Sequence, residues 1–213
     1  MMPVNLSGML FLVVATTTIG NVAAAQNSAR IFEGAGTPRV ALSWESTMGA
    51  HPERAAWSNY LTGLIWKNLS TYEKAADVAF FCPKWATLED EQKVKAVGEL
   101  WVSTAFFESG FKVASQSVDV GTKDQKDTWS VGLFQMSVVD QKNYGFKYGL
   151  TFADLITAIP NIRLAHAVMM KQLIAGHLMV VSSHPYWATL FRGKYSKVDE
   201  IRRAVLKQAP KCD

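Results

Sequence analysis

The sequence predicts one mainly α-helical domain. Apolar residues recur at helical spacing in several successive segments, residues that cap or stop helices stand between these segments, and no run of alternating apolar and polar residues predicts a sheet. A chain of 213 residues that is 49% hydrophobic and has no low-complexity tract can bury one sizeable core. We therefore expect a single globular unit built around packed helices.

Residues 1–25 are typical of a secretory signal peptide. The stretch contains no charged side chain, an apolar run extends from Gly8 to Ile19, and Ala23 and Ala25 form a small-x-small cleavage pattern. A permanent membrane anchor is the alternative, but the run is shorter than the roughly 20 apolar residues that a spanning helix needs. We expect cleavage, export to the periplasm or the outside of the cell, and no stable membrane insertion afterwards.

Cysteine content and charge restrict the partners of the chain. Cys82 and Cys212 could form a disulfide in an oxidising compartment or remain as two buried thiols, and no metal-ligand spacing surrounds either of them. The net charge of +4 comes from scattered Lys and Arg residues, which does not indicate nucleic-acid binding. We expect no metal ion, no cofactor and a monomeric protein.

The first part of the chain divides into an irregular arm and two helices. Residues 26–51 contain several Gly and Pro residues and little periodicity, so the arm precedes a domain that covers residues 52–213. A helical pattern starts at Glu53 and breaks near Asn68 to Ser70, and a second helix is predicted from Tyr72 to Phe81, before Pro83.

A longer central helix places a carboxylate on its apolar face. Thr87 is the expected N-cap, with Asp90 three residues later. At 100° per residue, Glu108 lies within roughly 40° of Val94, Val97 and Trp101 on the face that should be buried. Burial raises the pKa of a carboxyl group, as a general acid requires. A buried structural ion pair would explain the same position, so both interpretations stay open.

The second half of the chain contains a polar loop and further helices. Residues 112–130 form the loop, whose Asp119, Asp124 and Asp127 are either a second acidic group for Glu108 or solvated surface residues. Four helices are predicted beyond it. The first is short and stops at Gly145, and the second is capped by Thr151 and Asp154. The third has Pro160 in its first turn and runs to Gly176, and the fourth is capped by Ser196 and Asp199 and ends at Pro210. His166 and His177 have no ligand spacing and are expected to be structural.

Several separated motifs together resemble one family. These are Glu108-Ser109-Gly110-Phe111, then Ser115, then Gly132-Leu133-Phe134-Gln135, then Pro160-Asn161-Ile162-Arg163-Leu164-Ala165. In this order they are similar to the motifs of the soluble lytic transglycosylase and goose-type lysozyme superfamily. The similarity covers residues 94–201, and the ordered set is far more specific than any one of its elements.

The resemblance implies a lysozyme-like fold and cleavage of the β-1,4 bond between N-acetylmuramic acid and N-acetylglucosamine in peptidoglycan. Glu108 would be the catalytic acid, and Asn161 would brace the cleft wall. The implied substrate-binding residues are Ser109, Ser115, Phe134, Gln135 and Tyr186. Tyr186 stands in for the tyrosine of an Ala-Tyr-Asn segment that many relatives carry, and Ser137 occupies the place of an aspartate found in goose-type enzymes.

Two chemistries and one non-catalytic alternative follow from the resemblance. A lysozyme-type hydrolase would need a base that positions water, for which Asp127 or Asp124 is the candidate. A lytic transglycosylase would use the substrate's own acetamide and 6-hydroxyl groups, so it would depend on an acetylated substrate. The alternative is a secreted protein that binds peptidoglycan or acts as a scaffold without cleaving it.

Overall fold

The computed structural model describes residues 38–118, 124–174, 186–190, 193 and 195–213. Its α-helices in chain order are α1 (Arg54–Lys67), α2 (Leu69–Tyr72), α3 (Val78–Phe81), α4 (Asp90–Ser109), α5 (Val138–Asn143), α6 (Phe152–Leu155), α7 (Ala158–Ile174) and α8 (Val198–Gln208). Short 3₁₀ helices cover Ser43–Glu45, Trp85–Thr87, Lys126–Thr128, Ala188–Leu190 and Pro210–Cys212. The mainly α-helical fold is confirmed.

Helix α4 lies at the centre of the molecule. It packs against α8 on one side and α1 on the other, and α1 in turn packs against α7. Trp101, which is fully buried in α4, contacts the rings of Phe134 at 5.0 Å and Trp187 at 5.7 Å edge to face, and stacks on His166 at 6.1 Å. The helical phase therefore turns one side of α4 into the middle of the aromatic core.

The segment before α1 belongs to this core. Trp44 is completely buried, and a Cβ atom at Gly98 would lie 2.5 Å from Leu42, so α4 has no room for a side chain there. The buried carboxylate of Glu99 accepts hydrogen bonds from the Ser43 amide at 2.8 Å, from the Ser43 hydroxyl and from Lys95 Nζ at 2.7 Å. Because a buried charge needs such partners, Glu99 holds the 3₁₀ helix of this segment against α4.

A disulfide between Cys82 and Cys212 joins the end of α3 to the C-terminus. The alternative of two free thiols is wrong. Next to the bond, the Lys84 amide donates to the carbonyl of Cys212 at 3.1 Å, so the two segments also share a backbone contact. The bond spans 130 residues of sequence. In the chain-entropy account, a loop of that size stabilises the folded state by about 4 to 5 kcal/mol.

The predicted helix from Tyr72 to Phe81 is wrong. The structure has two short helices, α2 and α3, joined by a turn in which the Ala75 amide bonds to the carbonyl of Tyr72 and the Val78 amide to that of Ala75. In one continuous helix Tyr72 and Phe81 would lie about 180° apart. The turn allows both side chains to be buried in the same core.

Two predicted caps are displaced by the surrounding packing. Thr87 ends a 3₁₀ helix that buries Trp85, and its hydroxyl donates to the carbonyl of Lys84 at 2.9 Å. Glu89 is the N-cap of α4 instead, with Gln92 completing the capping box. At α8 the cap position is Lys197, and the Ser196 hydroxyl accepts from the Val198 amide at 3.4 Å.

Other predicted boundaries are confirmed. Helix α1 ends at Lys67 with Asn68 as its C-cap, and α5 ends before Gly145. Thr151 and Asp154 form a capping box, and Pro160 lies in the first turn of α7. The end of α7 near Gly176, His177, Asp119 and the predicted signal peptide over residues 1–25 lie outside the described residues.

A small hairpin within the polar loop was not predicted from the sequence. Strands β1 (Gln116–Ser117) and β2 (Ser130–Val131) pair antiparallel, with Gln116 opposite Val131. Strands of two residues are too short to show alternation.

Among the helices in the described part of the chain, none combines the length and the apolar character that crossing a membrane would require.

Candidate active site

Glu108 lies in the last turn of α4, where the helix stops at Ser109 because Gly110 adopts the left-handed conformation with φ of 60°. Its side chain is half-buried, as the helical phase predicts. The hydroxyl of Thr189, on the 3₁₀ helix Ala188–Leu190, donates a hydrogen bond of 2.5 Å to Glu108 Oε1. The carboxyl group therefore points toward this 3₁₀ helix.

The surroundings of Glu108 favour its neutral form. Burial raises the pKa of the carboxyl group, and the hydrogen bond from Thr189 opposes the shift because it stabilises the ionised form. Among the described residues no neighbouring carboxylate contributes to this shift. A carboxyl group that keeps its proton to a higher pH and retains one hydrogen-bond partner can act as a general acid.

A tight turn over residues 131–136 lies beside the end of α4. The amide of Val131 bonds to the carbonyl of Met136, and the amide of Met136 bonds back to Val131, both at 2.9 Å. Gly132 and Gln135 have positive φ values of 78° and 50°. The Ser109 hydroxyl donates to the carbonyl of Leu133 at 3.0 Å, so the residue next to Glu108 ties the helix to the turn.

Asn161 holds the turn from the other side. This fully buried side chain accepts a hydrogen bond from the Phe134 amide at 2.9 Å and donates to the carbonyls of Val131 at 2.8 Å and Leu155 at 2.9 Å. A Cβ atom at Gly132 would lie 2.3 Å from Asn161 Nδ2, which leaves space only for glycine. Asn161, the residue expected to brace the cleft wall, therefore makes three buried hydrogen bonds to backbone groups.

Two of the predicted substrate-binding side chains are buried in this structure. Phe134 is fully buried and packs edge to face on Trp101. Ser109 is buried too, and its hydroxyl donates to the carbonyls of both Ala105 and Leu133. Phe134 therefore packs in the core, and Ser109 ties α4 to the turn, so both side chains have a role in holding the scaffold.

Ser115 and Gln135 remain partly exposed at the edge of the turn. The carbonyl of Ser115 accepts from the Gly132 amide at 2.8 Å, and Gln135 Nε2 donates to the carbonyl of Gly132 at 2.9 Å. Both residues therefore flank Gly132, and their role in binding substrate stays a prediction.

The hydroxyl partner of Glu108 is Thr189 and not Tyr186. The Tyr186 hydroxyl donates to the carboxylate of Asp140 and to the carbonyl of Gln135 at 3.2 Å. Asp140 also accepts from the Ser137 amide at 2.7 Å, so this tyrosine and this aspartate hold the start of α5 against the turn. Sequence reasoning missed Thr189. The available signal was Ala188, which begins the segment as in Ala-Tyr-Asn and is followed directly by a hydroxyl residue.

The two candidate bases in the described part of the chain are not hydrogen-bonded to the candidate acid. Asp124 and Asp127 are exposed, and the 3₁₀ helix Lys126–Thr128 lies against α5. Neither aspartate forms a hydrogen bond to Glu108 within the described residues, and Asp119 is not among those residues. In the same described ranges, no three His, Cys, Asp or Glu side chains are grouped as metal ligands would be.

Replacing Glu108 by Gln is expected to stabilise the protein increasingly as the pH rises. The folded-state pKa of Glu108 lies above that of an unfolded glutamate, about 4.3. Ionisation therefore costs the native protein stability as the pH rises through the folded pKa, and Glu108→Gln removes this cost. Urea unfolding at pH 4, 6 and 8 would measure the difference. Glu91→Gln, an exposed change in the same helix, should show no such gain. A difference that shrinks toward pH 8 would contradict the buried acid.

Comparison with known proteins supports the fold class. No protein-family model matches the sequence, and no curated protein matches it. Solved structures of the Bdellovibrio protein DslA do match: the wild-type form has 22% identity and a TM-score of 0.67, and covers 83% of this chain and 100% of its own. Two DslA forms that each carry one glutamate-to-glutamine substitution match with TM-scores of 0.68 and 0.67 at 22% and 21% identity, with the same coverage. The chain therefore has a mainly α, lysozyme-like fold.

Proposed function

We propose that this protein is a secreted glycosidase that cleaves the β-1,4 bond between N-acetylmuramic acid and N-acetylglucosamine in peptidoglycan, with Glu108 as the general acid. The observation that carries the proposal is the half-buried Glu108 carboxyl group, whose pKa is raised by burial at the end of α4. The lysozyme-like fold and the ordered motifs around Glu108, Gly132 and Asn161 support the same reaction.

The chemistry requires one proton transfer from Glu108. The protonated carboxyl group donates its proton to the glycosidic oxygen while the bond from that oxygen to the anomeric carbon breaks, and an oxocarbenium-like sugar develops. Glu108 is left ionised. The Thr189 hydroxyl donates to Oε1 and stabilises this ionised form, so it assists the step that leaves the charge behind.

The fate of the oxocarbenium-like sugar depends on a second group. In DslA the two substituted glutamates stand eleven positions apart, and in this chain Asp119 follows Glu108 at the same spacing. Asp119 therefore joins Asp127 and Asp124 as a candidate to position water in a hydrolase. A lytic transglycosylase would instead use the substrate's acetamide and 6-hydroxyl groups, and would need none of the three aspartates.

Export and the expected partners fit this role. The Cys82–Cys212 disulfide is a bond typical of oxidising compartments, which supports the periplasm or the outside of the cell as the location. We propose that the partners are peptidoglycan glycan strands, that the mature protein acts as a monomer, and that it binds no nucleic acid.

Glu108→Gln is expected to abolish release of fragments from purified peptidoglycan, because the amide cannot donate the proton at the glycosidic oxygen. Losses at an essential acid are commonly on the order of a hundredfold or more. Turbidity loss of cell-wall suspensions would measure the rate, and Glu91→Gln should lyse walls as the wild type does. Wild-type lysis by folded Glu108→Gln would refute the assignment. Glycan binding without fragment release by the wild type would indicate the non-catalytic alternative.

Thr189→Val should move the alkaline limb of the pH profile of kcat/KM to higher pH. The hydroxyl lowers the pKa of Glu108, so removing it at nearly constant volume raises that pKa and keeps the acid protonated for longer. A profile that is unshifted, or shifted to lower pH, would show that Thr189 does not act on the catalytic proton.

Mass spectrometry of the released muropeptides should separate the two routes. Reducing muramic acid ends would establish hydrolysis, and at least one of Asp119→Asn, Asp124→Asn and Asp127→Asn should then reduce turnover. Anhydro ends would establish transglycosylation, and all three variants should then stay active. Walls whose N-acetyl groups have been removed provide the matched control, because the acetamide-dependent route should fail on them.

A further inference from the structure

A cavity of about 1130 Å³ lies between α1 and α7, away from the candidate active site. Its wall is mainly apolar and includes Trp57, Leu64, Val113, Ile156, Ala167 and Met170. Neither Glu108 nor its partner Thr189 lines it. Its volume lies slightly above the range of about 300 to 1,000 Å³ that is typical of pockets that bind small molecules. The cavity therefore needs an explanation that is separate from the cleavage chemistry.

Two cations lie at this cavity. Arg163 and Lys171 both line it from α7, and both are exposed. The Arg163 guanidinium lies 4.1 Å from the centre of the Tyr148 ring, and Lys171 Nζ lies 5.7 Å from that of Phe146. Within the described ranges neither cation has an ion pair. The aromatic rings hold the two charges in position while leaving them free to meet an anion.

Two of the aromatic rings at this cavity, Phe146 and Tyr148, are occupied by other contacts. Phe146 and Tyr148 lie nearly parallel, with centres 5.4 Å apart and planes 9° apart. Arg163 lies over the Tyr148 ring and Lys171 over the Phe146 ring. A sugar needs an open ring face, so these contacts favour a ligand that meets the cations rather than the rings.

His166 provides a buried polar atom at this cavity. The residue has only 4% of its surface exposed, and its Nε2 atom has no hydrogen-bond partner in the described part of the chain. Burial lowers the pKa of His166 to about 4, so its ring is neutral near pH 7. A buried polar group without a partner costs about 1 to 3 kcal/mol. A polar atom on a bound ligand would relieve this cost.

We propose that this cavity binds an amphipathic anion with one aliphatic chain and a phosphate or carboxylate head. The apolar wall would hold the chain, Arg163 and Lys171 would pair with the head, and His166 Nε2 would meet a polar atom of the ligand. Charge complementarity selects an anion over a neutral or cationic amphiphile. The proposal is independent of the cleavage chemistry at Glu108.

Isothermal titration with dodecyl phosphate, laurate and dodecanol, all below their micelle concentrations, tests this site. We expect one anion per protein, with dodecanol bound at least about tenfold more weakly. Binding of only one of the two anions would identify the head group as phosphate or carboxylate. Failure of both anions to bind, or equal binding of dodecanol, would overturn the proposal.

Variants locate the binding in the cavity. The double change Arg163→Gln and Lys171→Gln should weaken anion binding by about tenfold or more, since it removes both charges from exposed positions without disturbing the core. Ala167→Trp should block the chain by filling the cavity. The matched control, Arg203→Gln with Lys207→Gln, removes two exposed charges from α8 and should bind as the wild type does. Equal affinity in the Arg163 and Lys171 double variant would refute the site, whatever the peptidoglycan-lysing activity of that variant.

Discussion

The buried amide of Asn161 is the interaction on which the geometry of the candidate site depends. Its side chain bonds to one amide group and two carbonyl groups, at Phe134 and Val131 in the turn and at Leu155 in α6. Without it, the Phe134 amide and the Leu155 carbonyl would lose this partner, and the Val131 carbonyl would keep only the Met136 amide. Lost hydrogen bonds are costly in a protein interior. Because the Ser109 hydroxyl ties α4 to the same turn, the position of the turn also sets the position of the residue next to Glu108.

The aromatic core is the second feature on which the proposed role of Glu108 as an acid depends. Trp101 contacts His166, Phe134 and Trp187, so the middle of α4 is surrounded by rings on several sides. A helix that enters such a core carries its last turn into a partly desolvated environment. The raised pKa of Glu108 is thus a consequence of where α4 ends. The ionised carboxylate is destabilised there, and the proton stays available for transfer.

Sequence patterns within one helix or one turn predicted the features that depend on residues close together in the sequence. The helical phase of α4 predicted a half-buried Glu108, and the capping residues Thr151 and Asp154 predicted the start of α6. Contacts between distant residues could not be predicted in this way. Thr189 reaches Glu108 across 81 positions of sequence. Likewise the break between Tyr72 and Phe81 exists because both rings enter one core, which no local propensity encodes.

The motif residues fall into two groups, those that keep the shape of the scaffold and those that could take part in the reaction. Gly132 has no space for a larger residue, and Phe134 and Asn161 are buried in the scaffold, whereas the contact between Glu108 and Thr189 is the part that could transfer a proton. A chain that had lost its acid would still need the glycine, the phenylalanine and the asparagine to keep its shape. A genome survey that recognises such chains by the turn alone would therefore group chains that lack the acid with enzymes. The presence of both an acid and a hydroxyl group facing it is the better criterion for separating them.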